Sequence, residues 1–162
     1  MTLAVLLLSA GLTLSPQQAD ITERVVGAGQ PDCLIYHPDA TEAPCRPRIT
    51  VTAGVNVNAW AGGEEIRLTR AAVLRLNRDE FALLFAHEVA HYLLGHKASS
   101  PEVELAADRL GAQLACRAGF NPSAGVTLFR YLAAGRSHPH RNVRRALVAA
   151  VPCGAVAASY AR

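Results

Sequence analysis

Apolar positions follow three successive patterns along the chain. Leu3 to Leu14 is an apolar run broken only by Ser9, Gly11 and Thr13. A stretch of short β-prone runs follows, and from residue 70 onward the apolar spacing turns helical. The opening run has the length of a signal-peptide core and falls short of the roughly 18–20 residues of a bilayer span. A small-residue site at Ala19, before Asp20, makes residues 1–19 a leader or short hydrophobic N-terminal segment, and 20–162 one domain. Uncleaved, the segment would give at most a short N-terminal membrane association. Residues 20–33 are polar and Gly-containing and read as a lead-in. Leu34–Tyr36, Arg48–Thr52, Val55–Asn58 and Glu65–Thr69 read as strands, with Gly62-Gly63 as the turn between the last two.

In the helical part, Ala71–Leu76 is short. Asn77 offers an N-cap with Glu80 three residues on, opening a helix from about Arg78 to Leu94 that Gly95 stops. Ser100-Pro101 opens the next helix and Gly119 closes it; Asn121-Pro122 opens another, closed by Gly135. Pro139 opens the last, which Pro152 ends. A small N-terminal sheet followed by four or five helices is an α+β single domain.

Composition narrows the class. Apolar residues make up 51% and charged residues 18%, against intrinsic disorder. A net charge of +3, from 16 Lys+Arg and 13 Asp+Glu, is too mild to point to nucleic acid. The arginines at 136, 141, 144 and 145 read as a solvated face. The four cysteines, Cys33, Cys45, Cys116 and Cys153, form no CxxC pair and allow three pairings. Closeness in sequence favours Cys33–Cys45 and Cys116–Cys153. An even count behind an export-like segment fits an oxidising, periplasmic or secreted compartment.

Three of six histidines, His87, His91 and His96, fall within ten residues. His87-Glu88-Val89-Ala90-His91 is HExxH inside the best-defined helix. Its histidines, one turn apart on one face, can reach one Zn²⁺, with Glu88 beside the ion to accept a proton from water. Three ionisable groups on an otherwise apolar helix need such partners. A catalytic zinc takes a third protein ligand. His96 does not stand in the metzincin register and reads as a helix-end residue, favoured there by the dipole. In the next helix Glu104 is preferred over Glu102, because Asp108 lies one turn on and can accept the other ring N–H of a ligand histidine.

HEVAHYLLGH followed by ELAADRLG resembles the gluzincin zinc peptidases of the HtpX, BepA and CAAX-prenyl-protease type, whose signature is HExxH and then ExxxD. Val57–Gly63 with Ile66–Thr69 resembles their strand segment, and His138-Pro139 with Arg144 resembles their HP…R element. The resemblance runs from about Cys33 to Arg145. It implies a zincin-like domain with one zinc per chain, held by His87, His91 and Glu104, and Glu88 as general base. It further implies His138 near the substrate carbonyl and Arg144 organising the site; the alternative for His138 is an ordinary N-cap before Pro139. Asn58–Ala61 would offer a strand edge to an extended peptide, with Trp60 a substrate contact or core. The expected activity is zinc-dependent endopeptidase action on extended or unfolded protein segments. A zinc-bound binding or assembly factor of the cell envelope, its proteolysis latent or partner-gated, is the competing class.

Overall fold

The first element is a helix where the sequence reads as a lead-in and a strand. In this computed structural model, which describes residues 12–36, 45–132 and 138–153, α1 runs over Pro16–Tyr36. Ile21, Val25, Gly29 and Cys33 recur every four residues and are buried together on one stripe. Gly29 lets neighbouring helices close in: a Cβ there would lie 3.1 Å from the Leu93 side chain. The segment looks irregular in sequence because Gly27, Gly29 and Pro31 resemble helix breakers, while its few apolar residues are spread among polar ones. Leu34, Ile35 and Tyr36, expected as a strand, end this helix and are exposed. Most of the proposed leader, residues 1–11, lies outside the described residues.

Three short strands follow: β1 (Arg48–Thr52), β2 (Ala59–Gly62) and β3 (Glu65–Thr69), in the order β1-β3-β2. β1 pairs parallel with β3, matching Ile49 to Ile66, and β2 pairs antiparallel, matching Ala59 to Leu68. The strand expected at Val55–Asn58 therefore starts later. The Asn58 N–H donates to Thr69 Oγ1, and the Asn58 carbonyl accepts from the Thr69 N–H, just ahead of the ladder. Gly63-Glu64 rather than Gly62-Gly63 makes the turn, with Gly63 at φ +58° supplying the left-handed conformation a two-residue hairpin loop needs.

Thr69 caps α2 (Arg70–Arg75), and its hydroxyl accepts from the Ala72 N–H. The capping box is present: Asn77 Oδ1 accepts from the Glu80 N–H and Glu80 Oε2 from the Asn77 N–H, opening α3 (Arg78–Leu93). α3 is buried on almost every side, including Phe81, Phe85, Ala86, Val89 and Ala90, which is why its sequence lacks a polar face. α4 (Pro101–Arg117) starts at the Ser100 cap with Pro101 in its first turn, and Gly119 at φ +81° follows its end. α3 and α4 pack in near-backbone contact. A Cβ on Gly111 would sit 2.9 Å from His87 Cα and N, so only glycine fits.

The helix expected from Pro122 to Gly135 is instead a single turn, α5 (Pro122–Gly125), continued by a 3-10 helix over Val126–Arg130. Its proposed stop, Gly135, lies outside the described residues. α6 (Arg141–Ala149) opens two residues later than expected, because His140, read as plain surface, is its cap: Nδ1 accepts from the Asn142 N–H at 3.3 Å. The described residues thus hold a three-stranded sheet and six helices, an α+β arrangement whose sheet follows a helix rather than leading the chain. Both disulfides pair as closeness in sequence suggests. Cys33–Cys45 ties α1 to the approach to β1, and Cys116–Cys153 ties the end of α4 to the segment after α6; each adds about 2–4 kcal/mol by restricting the unfolded chain.

Candidate metal centre

Four segments converge where α3 and α4 touch. His87 and His91, one turn apart on α3, bring their Nε2 atoms to 3.0 Å of each other. Glu104, from the first turns of α4, places Oε2 at 3.4 Å from His87 Nε2 and Oε1 at 3.6 Å from His91 Nε2. The three ligand atoms lie within 4.8 Å of one another. A tetrahedral zinc with bonds of about 2.0–2.1 Å would set its ligand atoms about 3.3 Å apart, and these separations fall around that value. Glu104 is 3% exposed, and its Oε2 accepts no well-formed hydrogen bond among the described residues. A buried carboxylate facing two imidazole nitrogens, one from each oxygen, is a group that could hold a small divalent cation. The residues fit the ion.

Each of these groups is held from behind. Ser99 Oγ donates to Glu104 Oε1 at 2.7 Å. Asp108, one turn beyond Glu104, lies with Oδ1 3.0 Å from His87 Nδ1. Arg144 of α6, itself 4% exposed, grips Asp108 with two hydrogen bonds: Nε donates to Oδ2 at 2.7 Å and Nη2 to Oδ1 at 2.8 Å. Its guanidinium also covers the Phe129 ring at 4.9 Å. On the other ligand, His91 Nδ1 is 2.9 Å from Nδ1 of His96.

The charges follow from this packing. Burial pushes the His87 imidazole down, but Asp108 and Glu104 as acceptors, with the Glu88 charge, outweigh it and raise its pKa to about 9. Burial pushes Glu104 up, yet His87, His91 and Ser99 hold it below the carboxylate range. Asp108 is likewise lowered against its burial, chiefly by Arg144 and then His87. Burial, with His91 beside it, holds His96 below its ordinary value. An anionic environment that retains a proton on His87 is one in which a divalent cation can take that proton's place.

Glu88 is 6% exposed and, with His87, faces two adjoining clefts. The larger, about 530 Å³, is lined on one side by Leu83, Leu84, Leu128, Phe129 and Leu132 and on the other by polar groups that include Asn56, Arg75 and Arg144. The smaller, about 360 Å³, runs along Asn58 and then Ala59–Ala61 of β2, an edge strand of the sheet, and reaches His91, Lys97 and Glu104. Trp60 is 36% exposed and lines this second cleft. His138 lines both clefts, with Nε2 3.5 Å from Glu104 Oε2 and a side chain 43% exposed. The helix cap near it is His140, so His138 does not fill that role. His87, His91 and Glu104 thus converge, Asn58, Ala59, Trp60, Glu88 and His138 line the clefts beside them, and Asp108 and Arg144 stand behind His87. The larger cleft and the contact between His91 and His96 have no counterpart in the sequence reading. The signal for the contact was the Gly95-His96 pair that ends α3.

Residues 34–103 match the model of peptidase family M48. The matched part covers β1 to α3 and the start of α4, including His87, Glu88 and His91, and stops one residue before Glu104. It supports a metallopeptidase, of a family whose members depend on zinc. No curated protein matches the chain. Among the described residues no helix is long and apolar enough to cross a membrane. The two disulfides hint at an oxidising, exported location.

Proposed function

We propose that the chain is a zinc-dependent endopeptidase that cuts extended or unfolded protein segments in an exported compartment. The observation that carries this reading is the converging donor set of His87, His91 and Glu104 with buried Glu88 on the wall of an open cleft. When bound, the ion supplies Lewis acidity: it brings the pKa of a bound water to about 7 and polarises a carbonyl oxygen. The chain's own residues supply the rest. Glu88 takes the proton of the attacking water and returns it to the leaving amine. His138, beside the site on an exposed loop, donates to the oxygen on which negative charge develops. Asp108 and Arg144 hold the His87 ring in place. The β2 edge at Asn58–Trp60 binds the substrate backbone by strand addition, which demands an extended segment.

The larger cleft adds a preference. Its volume of about 530 Å³ and the Leu83, Leu84, Leu128, Phe129 and Leu132 side chains on one side of its mixed lining suit a large apolar side chain next to the scissile bond. Cleavage sites on unfolded casein, mapped by mass spectrometry, are expected to cluster beside Leu, Phe, Met and Ile. Cuts spread evenly, or centred on charged residues, would refute the pocket assignment; no fragments at all from zinc-loaded protein would refute the activity.

A further inference from the structure

The end of α3 performs a second task besides stopping a helix. Gly95, at φ +64°, reverses the chain so that its N–H donates to the Tyr92 carbonyl and the His96 N–H to the His91 carbonyl. This is the Schellman turn, in which the residue after the glycine folds back over the residue three before the cap. The returning side chain is commonly apolar. Here it is an imidazole, and it lands on an imidazole: the His91 and His96 rings meet edge to face with centroids 5.0 Å apart. The same turn ends α4, where Gly119 brings Phe120 back toward Ala115. The histidine pair is therefore a particular use of a general device.

We propose that His96 is a positioning residue that fixes the ring of the ligand His91. The inference rests on the metal reading above. His91 turns Nε2 toward His87 Nε2 and Glu104, where a metal would take its lone pair. An imidazole that gives one lone pair to an ion keeps its proton on the other nitrogen. The His91 Nδ1–H is then the donor, and Nδ1 of His96, 2.9 Å away, is the acceptor, leaving the His96 proton on Nε2. The two ligand histidines are thereby supported differently. Behind His87 stands a carboxylate locked by an arginine; behind His91 stands a neutral ring set by a backbone turn. Loss of such an outer partner lowers metal affinity by about 10–100-fold.

Zinc affinity, measured by competition with a chromophoric chelator, tests this in the full chain. His96→Ala and His96→Phe remove the acceptor, and the latter keeps the ring volume; both are expected to bind zinc about 10–100-fold more weakly. His96→Asn places its Oδ1 where Nδ1 stood and is expected to stay within a few-fold of wild type. The visible spectrum of the cobalt-loaded protein should change in the Ala and Phe variants and be retained in the Asn variant. Wild-type affinity in His96→Phe, or equal loss in His96→Asn and His96→Ala, overturns the positioning role while leaving the metal site intact. A wild-type chain that takes up no ion overturns the metal reading itself, and this inference with it.

Discussion

Glu88→Gln is expected to lower peptide hydrolysis by about 10²–10⁴-fold while zinc content stays at the wild-type level. Glutamine keeps the shape of the side chain and its place between the two clefts, where Glu88 is 6% exposed. It cannot accept the proton of the attacking water, so only the step that needs a base is lost. Glu88 is not among the three residues whose ligand atoms converge, so its charge is not required to hold the ion. The check is casein cleavage and metal analysis on the same preparation. Undiminished cleavage removes Glu88 from the mechanism; loss of zinc along with activity would instead make it part of the metal-holding set.

Arg144→Met should have the largest effect on stability. Asp108 is 2% exposed and receives both of its well-formed hydrogen bonds from Arg144. Removing the guanidinium leaves a buried carboxylate with His87 Nδ1 beside it at 3.0 Å and no arginine to neutralise it. Breaking a buried pair in this way costs about 3–5 kcal/mol, a large part of the roughly 5–15 kcal/mol that holds a domain folded. For a domain of this size that is a fall of about 6–20 °C in Tm. Adding Asp108→Asn to the same chain should recover part of the loss, since no unpaired charge then remains. Thermal unfolding followed by circular dichroism decides it. A Tm within 2 °C of wild type, on the scale of about 2–4 °C per kcal/mol, would mean that Arg144 is not holding a buried charge.

The parts of this fold written in local chemistry were legible. Asn77 with Glu80, Ser100 with Pro101, and the glycines at 95 and 119 mark helix ends because capping depends on a few adjacent residues. The spacing that puts Glu104 and Asp108 on one face is equally local, and with HExxH it points to the three residues whose ligand atoms converge. What depends on contacts between distant segments was hidden. α1 is a helix because Ile21, Val25 and Cys33 find α3 and α4 to bury against, and nothing in its own Gly27, Gly29 and Pro31 suggests that. The strand beginning at Ala59 rather than Val55 follows from the hydrogen bonds between Asn58 and Thr69. Gly111 stands in the middle of α4 with no local signal beside it, and it is where the backbone of α3 passes at His87. The larger cleft draws on α3 and on the 3-10 helix near Phe129, a segment expected to be an ordinary helix.

The central claim is that an ion held by His87, His91 and Glu104 is required for peptide cleavage. Its most direct test strips the purified chain with a chelator and returns zinc in steps while casein fragments are counted. The account predicts no fragments from the metal-free protein and full recovery at one zinc per chain; fragments that persist in the metal-free protein would contradict it.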